Sequence, residues 1–518
     1  MATTQLGLVF LVGAGPGDPG LMTVRGREVL EDCDCVVYDY LVNPELLALA
    51  PEHADRHFVG KRGHETSVTQ EEINRLLIEL ARSHRRVVRL KGGDPFLFGR
   101  GGEEAMALAA HHVPFEIVPG VTSGIAVPAY AGIPVTHRAA SSAVAFCTGH
   151  ERPGKDAQLD WAALARIETL VLYMGMHKLA EICAALVANG KPVETPVAVI
   201  QWGTLPQQRV VEGTLASIAA RAQAAGMGAP AITVIGDVVR QREAIRWFDN
   251  RPLSGRTVLV TRSREQAGSL SRRLRETGAR VVEYAVNRQE APTDWLALDA
   301  ACDRLVGVDW VVFTSANAAR FTLNRLRERG RDARAFNAAR IAAVGPATDD
   351  TLRARGLNAD LVPATFSGEA LAAELIKAHR ERSPGKPLRV LLPQADNANP
   401  RLKEHLVQAG AEVIAVIAYR NVAQQPPIDL AKERIDALTF ASSATVERFV
   451  AALGQPALDA LIGAGARCYA IGPDTAEALR RSGLPVAAVA DQSTLAALVD
   501  QVISDLGEKA KPVGEASA

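Results

Sequence analysis

The sequence predicts an α/β protein of two halves, each built as a pair of lobes around open sheets. Three observations carry this. Through the first 240 residues, short β-branched runs end in Gly- or Asp-bearing turns that open helices. After Gly132-Ile-Pro-Val-Thr-His-Arg138 the strand-turn-helix pattern starts again, which asks for a second lobe. Beyond residue 255 the chain repeats its own motifs, which asks for a duplicated pair.

At 518 residues the chain is too long for one core. Its 58 Lys and Arg balance 58 Asp and Glu, which argues against a nucleic-acid or membrane-surface protein. Six scattered cysteines form no CxxC pair, and no His stands at metal-ligand spacing. We therefore expect a reducing compartment, with neither disulfides nor a bound metal. The chain opens on a strand, Gly7-Leu-Val-Phe-Leu-Val12, without a signal peptide, and no apolar run approaches a membrane span. A cytoplasmic protein is expected.

In order, a strand at 6–12 runs into Gly13-Ala-Gly-Pro-Gly-Asp-Pro-Gly20, and Thr23 reads as the N-cap of a helix ending near Asp32. A strand at Cys35–Tyr38 ends at Asp39. Gly15, Gly17 and Gly20 fit GxGxxG with Asp39 as a ribose carboxylate, so a nicotinamide-dependent oxidoreductase is one reading. Against it, Pro16 and Pro19 stiffen the turn, and the helix starts after the last glycine, badly placed for a pyrophosphate. Gly60-Lys61-Arg62 reads as a loop, and Thr69 with Glu72 as the capping box of the next helix.

A buried strand at 87–90 meets Gly92-Gly93-Asp94-Pro95, where missing side chains let a ligand lie against bare backbone. A helix starts near Gly102 with Glu103 and Glu104 in its first turn, where the dipole favours them. Strand Phe115–Val118 ends at Pro119-Gly-Val-Thr-Ser123. Four strand ends of this kind suit a ligand at the carboxyl edge of a parallel sheet. The second lobe has strands expected at 143–148, 169–174, 197–202 and Ala231–Ile235, with helices near 176–189 and 215–225.

Gly13-Ala-Gly-Pro-Gly-Asp-Pro19, Asp39-Tyr-Leu-Val42, Arg89-Leu-Lys-Gly-Gly-Asp-Pro95, Gly99-Arg-Gly-Gly-Glu-Glu104, Pro119-Gly-Val-Thr-Ser123, Tyr130-Ala-Gly-Ile-Pro-Val-Thr-His-Arg138 and Tyr173-Met-Gly175 resemble the tetrapyrrole methylases, and among them uroporphyrinogen-III C-methyltransferase. The resemblance spans residues 5 to 240. It implies a two-lobed homodimer holding S-adenosylmethionine between lobes. By the same resemblance the cofactor meets Pro16, Gly92, Gly93, Asp94, Leu97, Thr122, Ser123, Met174 and Gly203. Asp39 is implied as proton acceptor, Lys61 as proton donor, and Arg100 as the partner of a substrate carboxylate. These residue types suit the chemistry, since methyl transfer to a pyrrole carbon needs alignment and then a base for the cationic ring. The bland alternative is that Asp39 caps a turn and Lys61 is solvated.

Residues 241–254 are polar and read as a linker. The repeats follow. Val258-Leu-Val-Thr-Arg262 parallels Val390-Leu-Leu-Pro-Gln394, an offset of 390 − 258 = 132. Asp309-Trp-Val-Val-Phe-Thr-Ser-Ala-Asn317 parallels Asp436-Ala-Leu-Thr-Phe-Ala-Ser-Ser-Ala444, and Gly345-Pro-Ala-Thr348 parallels Gly472-Pro-Asp-Thr475; both offsets are 127. Each motif is a strand ending in small hydroxyl residues that open a helix, which suits carboxylate binding on free N–H groups; ordinary N-caps explain any single one.

With Ala418-Tyr-Arg420, these pieces resemble uroporphyrinogen-III synthase over 255 to 505. That family implies interleaved lobes, here 255–288 plus 420–505 and 289–419, and cofactor-free closure of hydroxymethylbilane with inversion of its last pyrrole. Tyr419 matches the tyrosine nearest the chemistry, and Thr314, Ser315, Ser442, Ser443 and Thr475 the carboxylate-binding positions. The tail, 506–518, reads as disordered. One half's product is the other's substrate, so the joint expectation is a bifunctional enzyme making precorrin-2 from hydroxymethylbilane. Its partners are then small tetrapyrroles, with neither nucleic acid nor membrane. The alternative keeps the methyltransferase and makes the second half a non-catalytic tetrapyrrole-binding module.

Overall fold

Four five-stranded sheets carry the chain. The structure is a computed structural model that describes residues 6–60, 68–149, 159–261, 264–336, 339–365, 367–424, 426, 430 and 433–507. The first sheet contains β1 (Leu8–Gly13), β2 (Cys35–Tyr38), β3 (Asp55–Phe58), β4 (Arg86–Lys91) and β5 (Phe115–Val118), all parallel, in the order β3-β2-β4-β1-β5. Side chains alternate across it: Val9 and Leu11 enter one core, Phe10 and Val12 the other. Both faces are covered, as a parallel sheet requires.

The turns after β1, β4 and β5 are pinned to one another by glycine. Gly15 and Gly93 exchange backbone hydrogen bonds of 3.2 and 2.7 Å. A Cβ on Gly13 would lie 2.5 Å from Gly120 Cα, and one on Gly120 would lie 2.4 Å from Gly93 O. Only bare backbone allows this approach. The expected helix signals hold: Thr23 caps Val24–Glu31, Thr69 and Glu72 form both bonds of a capping box on Gln70–Ser83, and Glu103 and Glu104 open Gly101–Ala110.

The second sheet is mixed, with β6 (Val144–Thr148), β7 (Thr169–Tyr173), β8 (Pro196–Gln201), β9 (Arg209–Thr214) and β10 (Ala231–Ile235) ordered β6-β7-β10-β8-β9. β10 runs antiparallel to β7 and β8, and β9 is antiparallel to β8.

In the second half, β11 (Thr257–Val260) and β12 (Arg280–Glu283) begin one sheet. The chain then leaves to build another from β13 (Asn287–Glu290), β14 (Trp310–Phe313), β15 (Arg340–Ala343), β16 (Arg389–Ala395) and β17 (Glu412–Ala423). It returns with β18 (Ala437–Phe440), β19 (Arg467–Ala470) and β20 (Val486–Val489) to complete the first, ordered β12-β11-β18-β19-β20. The intervening sheet is ordered β13-β17-β16-β14-β15, with β13 alone antiparallel.

The join is docked rather than free. Helix Arg242–Ile245 leads to Trp247 and Phe248, whose rings lie 5.1 and 4.9 Å from that of Tyr130. Arg251 stacks 3.7 Å over Phe248. Beyond it, Arg275 Nη2 reaches Glu45 Oε1 of the first half at 3.2 Å and Glu283 Oε1 at 3.2 Å.

Candidate functional site

β4 carries two cations inward, and both are buried: Arg89 is 3% and Lys91 4% exposed. Isolated charges at such depth are costly, so a counter-charge is required. Glu104, itself 0% exposed, supplies it from the first turn of Gly101–Ala110. Its Oε1 accepts from Arg89 Nε at 3.2 Å, Lys91 Nζ at 2.8 Å and Gln70 Nε2 at 3.2 Å. Burial, and then the Arg89 charge, depress the Lys91 ammonium, while Glu104 opposes them. The other end of Arg89 donates through Nη2 to Asp39 Oδ2 at 3.3 Å, and Asp39 Oδ1 accepts from Leu41 N. Asp39 therefore stands fixed at the end of β2 with its carboxylate a quarter exposed.

Two cavities flank this point, and Tyr40 and Leu41 line both. The first, about 670 Å³, has Asp39, Arg100, Thr69 and Gln70 on its walls. The second, about 580 Å³, lies between the first two sheets. Gly15, Pro16, Gly92, Gly93 and Ser123 come from the first lobe; Tyr173, Met174, His177, Trp202, Gly203 and Ala231 come from the second. Both volumes suit small-molecule ligands.

The backbone around these cavities is strained. Of six non-glycine residues with positive φ among those described, five stand here: Phe98 (55°), Arg100 (60°), Met174 (55°), Trp202 (50°) and Thr204 (70°). Each costs on the order of 1–3 kcal/mol and persists only where the surroundings enforce it. Glycine is needed too: a Cβ on Gly203 would lie 2.3 Å from Val127 Cγ1.

Among the sequence-predicted residues, Pro16, Gly92, Gly93, Ser123, Met174 and Gly203 are gathered on the second cavity, and Asp39 and Arg100 on the first. Asp94, Leu97 and Thr122 stand just behind the lining. Asp94 Oδ1 accepts from Phe96 N and Leu97 N, and Oδ2 from Gly120 N, tying the β4 turn to the β5 turn. Leu97 packs into the adjoining core, and Thr122 Oγ1 lies 2.6 Å from Tyr173 OH. Arg100 is held bidentately by Glu103 at 3.0 and 2.7 Å, which raises the guanidinium further. Lys61 lies outside the described residues. The GxGxxG reading finds no support. Asp18 caps a 3-10 turn at Pro19–Leu21, and the helix that follows begins only at Val24, after the last glycine rather than within the turn.

In the second half, Tyr419 stacks on Phe321 at 5.6 Å, with its hydroxyl 3.3 Å from Ser315 Oγ. Ser315 and Ser442 both act as helix N-caps, accepting from Ala318 N and Thr445 N. Ser443 donates to Asp474 O at 3.0 Å, which brings the helix starts at 443 and 473 together beside the buried Thr475. Thus Thr314, Ser315 and Tyr419 belong to one sheet's edge, and Ser442, Ser443 and Thr475 to the other's. A cavity of about 210 Å³ lies where the chain crosses between these sheets. Tyr419 lines it, together with Asn287, Gln289, Asn317, Asn421 and Arg448, none of which the sequence reading singled out as binding residues. Asn317 closes the 309–317 repeat; Asn287, Gln289 and Asn421 come from strands and Arg448 from the helix Ser443–Leu453, and only the fold brings them together.

Among the described residues no cluster of metal-ligating side chains occurs, and no helix is long and apolar enough to cross a membrane.

The family described as tetrapyrrole (corrin/porphyrin) methylases matches residues 8–219, and uroporphyrinogen-III synthase HemD matches residues 268–500. The porphyrin biosynthesis protein HemD of Ruminiclostridium josui is 35% identical over 503 residues, which is 96% of this chain and 98% of that one. The uroporphyrinogen-III C-methyltransferase of Bacillus subtilis (strain 168) is 47% identical over 286 residues, 55% of this chain and 59% of its own. Among solved structures, uroporphyrin-III C-methyl transferase from Thermus thermophilus complexed with S-adenyl homocysteine aligns with 45% of this chain and 99% of its own, at 40% identity and a TM-score of 0.39.

Proposed function

Because the chain belongs to the tetrapyrrole methylases through its first half and to the uroporphyrinogen-III synthase HemD family through its second, we propose that it is a bifunctional enzyme of tetrapyrrole biosynthesis. The second half cyclises hydroxymethylbilane to uroporphyrinogen III. The first half methylates that product at C2 and C7 to give precorrin-2.

The observation that carries the reading is the pair of cavities divided by Tyr40 and Leu41, one lined by bare glycine backbone and the other holding Asp39 and Arg100. S-adenosylmethionine, when bound, supplies an electrophilic methyl group. Pro16, Gly92, Gly93, Ser123, Met174 and Gly203 receive it, with Asp94, Leu97 and Thr122 shaping the turns behind. A substrate ring that has taken up the methyl group would be cationic and would have a proton to lose. Asp39 accepts it, and Arg89 keeps the carboxylate aimed. Lys61 is the proton donor, and Arg100 exchanges Glu103 for a substrate carboxylate. Alignment of donor and acceptor across the shared wall supplies most of the acceleration.

In the second half no cofactor acts. Tyr419 assists departure of the substrate hydroxyl, Thr314, Ser315, Ser442, Ser443 and Thr475 bind its carboxylates, and the fold excludes wrong closure. We assign residues 1–240 to the methyltransferase, 241–254 to the join, 255–288 with 420–505 and 289–419 to the synthase lobes, and 506–518 to a tail. A cytoplasmic homodimer, paired through the methyltransferase, completes the reading.

The test supplies full-length protein with hydroxymethylbilane, with and without S-adenosylmethionine, and identifies the tetrapyrroles after oxidation. Type-III uroporphyrin without the donor and a dimethylated product with it are expected. Type-I uroporphyrin alone, with methylation of supplied uroporphyrinogen III intact, would leave the second half a binding module.

A further inference from the structure

Thr204 follows Gly203 on the cleft wall, with φ of 70° and 2% exposure. Two bonds hold it: its N–H donates to Gln208 Oε1 at 3.0 Å, and its Oγ1 accepts from Asp18 N–H at 3.0 Å. Gln208 is held in turn from the join, where Asp249 Oδ1 accepts from its Nε2 at 2.9 Å. Asp249 Oδ2 accepts from Arg242 Nη2 at 2.6 Å, and Arg242 also donates to Ala131 O and Glu212 Oε1. On the opposite side, Tyr130 OH donates to Asp18 Oδ2 at 2.8 Å, and its ring packs against Trp247 and Phe248. Two strings of contacts thus begin in the join and end on either side of one strained residue.

A β-branched residue at positive φ relaxes unless it is held. Relaxation here would move the turn 202–205, in which Trp202, Gly203 and Leu205 line the second cavity. Leu205 and Thr204 also press on Gly17, where a Cβ would meet them at 2.9 Å. We propose that Asp249 is a positioning residue for the methyl donor's cavity, acting through Gln208 to hold that turn in its receiving shape. The inference rests on the first half being a methyltransferase. The carboxylate suits the role because each of its oxygens serves a different donor. Asparagine offers one acceptor for the two donors, and alanine offers none.

Full-length Asp249→Ala, Asp249→Asn and Gln208→Ala are titrated calorimetrically with S-adenosylmethionine and S-adenosylhomocysteine. Methyl transfer is followed separately, and thermal unfolding checks the fold. We expect Kd and the donor KM to rise roughly tenfold in the two alanine variants, by less in Asp249→Asn, and by more than kcat falls. Lower unfolding temperatures with unchanged Kd would mean a merely structural role and overturn the proposal. Should the alanine variants not fold, Asp249→Asn decides by the same criterion. A wild-type chain that binds neither compound overturns the methyltransferase reading and this inference together. Wild-type binding that all three variants retain overturns this inference alone.

Discussion

Glu104→Gln removes the one buried negative charge shared by Arg89 and Lys91 while keeping the side chain's shape. Its Oε1 contacts of 2.8 to 3.2 Å survive as hydrogen bonds, but among the described residues the two cations are then left with the partly exposed Asp39. The new amide also places donors where Glu104 Oε2 has no hydrogen-bond partner among the described residues. Breaking such a buried pair costs about 3–5 kcal/mol. Lys91 has an escape, because it can shed its proton. Titrating a lysine from the ordinary 10.5 to pH 7, at 1.36 kcal/mol per pH unit, limits its share to about 5 kcal/mol, and at pH 9 to about 2.

The sign follows from linkage. Burial already holds Lys91 below its ordinary value, so between its folded and unfolded values the unfolded chain binds more protons and stability rises with pH. Loss of the Glu104 charge lowers the folded value further and extends that window downward. The variant's deficit relative to wild type should therefore shrink as the pH rises from 7 to 9. Urea unfolding, followed by hydrogen exchange of the β4 amides, measures it in both proteins. A deficit that is equal at the two pH values, or a variant as stable as wild type at pH 7, would refute the reasoning.

Gly203→Ala drives a methyl group to within 2.3 Å of Val127 Cγ1, so calorimetry should show weaker S-adenosylhomocysteine binding and a stability loss of about 1–3 kcal/mol; unaltered affinity would remove Gly203 from the site. Asp39→Asn should cut methyl transfer by about 10²–10⁴-fold while donor affinity stays within about threefold, because Asp39 lines only the other cavity. Full turnover would end its assignment as base. Tyr419→Phe keeps the stack on Phe321 and loses the hydroxyl, so cyclisation should slow by roughly tenfold with methyl transfer unchanged. An unaltered cyclisation rate would leave Tyr419 a packing residue.

Apolar central strands could be read from sequence alone. The spans at Cys35–Tyr38 and Ala231–Ile235 are as expected because their β-branched runs are bounded by turn residues, and the edge strand Phe115–Val118 was readable from the Pro119-Gly120 turn that ends it. What was missed lies at sheet edges: Asp55-Arg-His-Phe58, Arg209–Thr214 and Asn287-Arg-Gln-Glu290 are largely polar and pair on one side. The glycines of the first site were readable because close backbone approach leaves only one residue type possible. Met174, Trp202 and Thr204 announce no positive φ, since neighbours impose it. The Gln208–Asp249 contact joins a turn to the join across 41 residues, and no periodicity reports such a pair. The hydroxyl motifs of the second half predicted helix starts, and Ser315 and Ser442 are caps indeed. The cavity beside them is furnished by Gln289, Asn421 and Arg448, which lie on separate segments.

The interleaving of the second half sets an order of events at the ribosome. β11 and β12 are made first, yet the strand that covers β11 on its other side begins at Ala437, 437 − 283 = 154 residues after β12 ends. At about 5–20 residues per second that interval is roughly 10–30 s. The intervening sheet comes from one continuous stretch and can close as it emerges, while β11, buried throughout in the finished fold, waits with an open edge. Any nascent chain stalled in that interval carries an open strand edge, the form most exposed to capture by another chain.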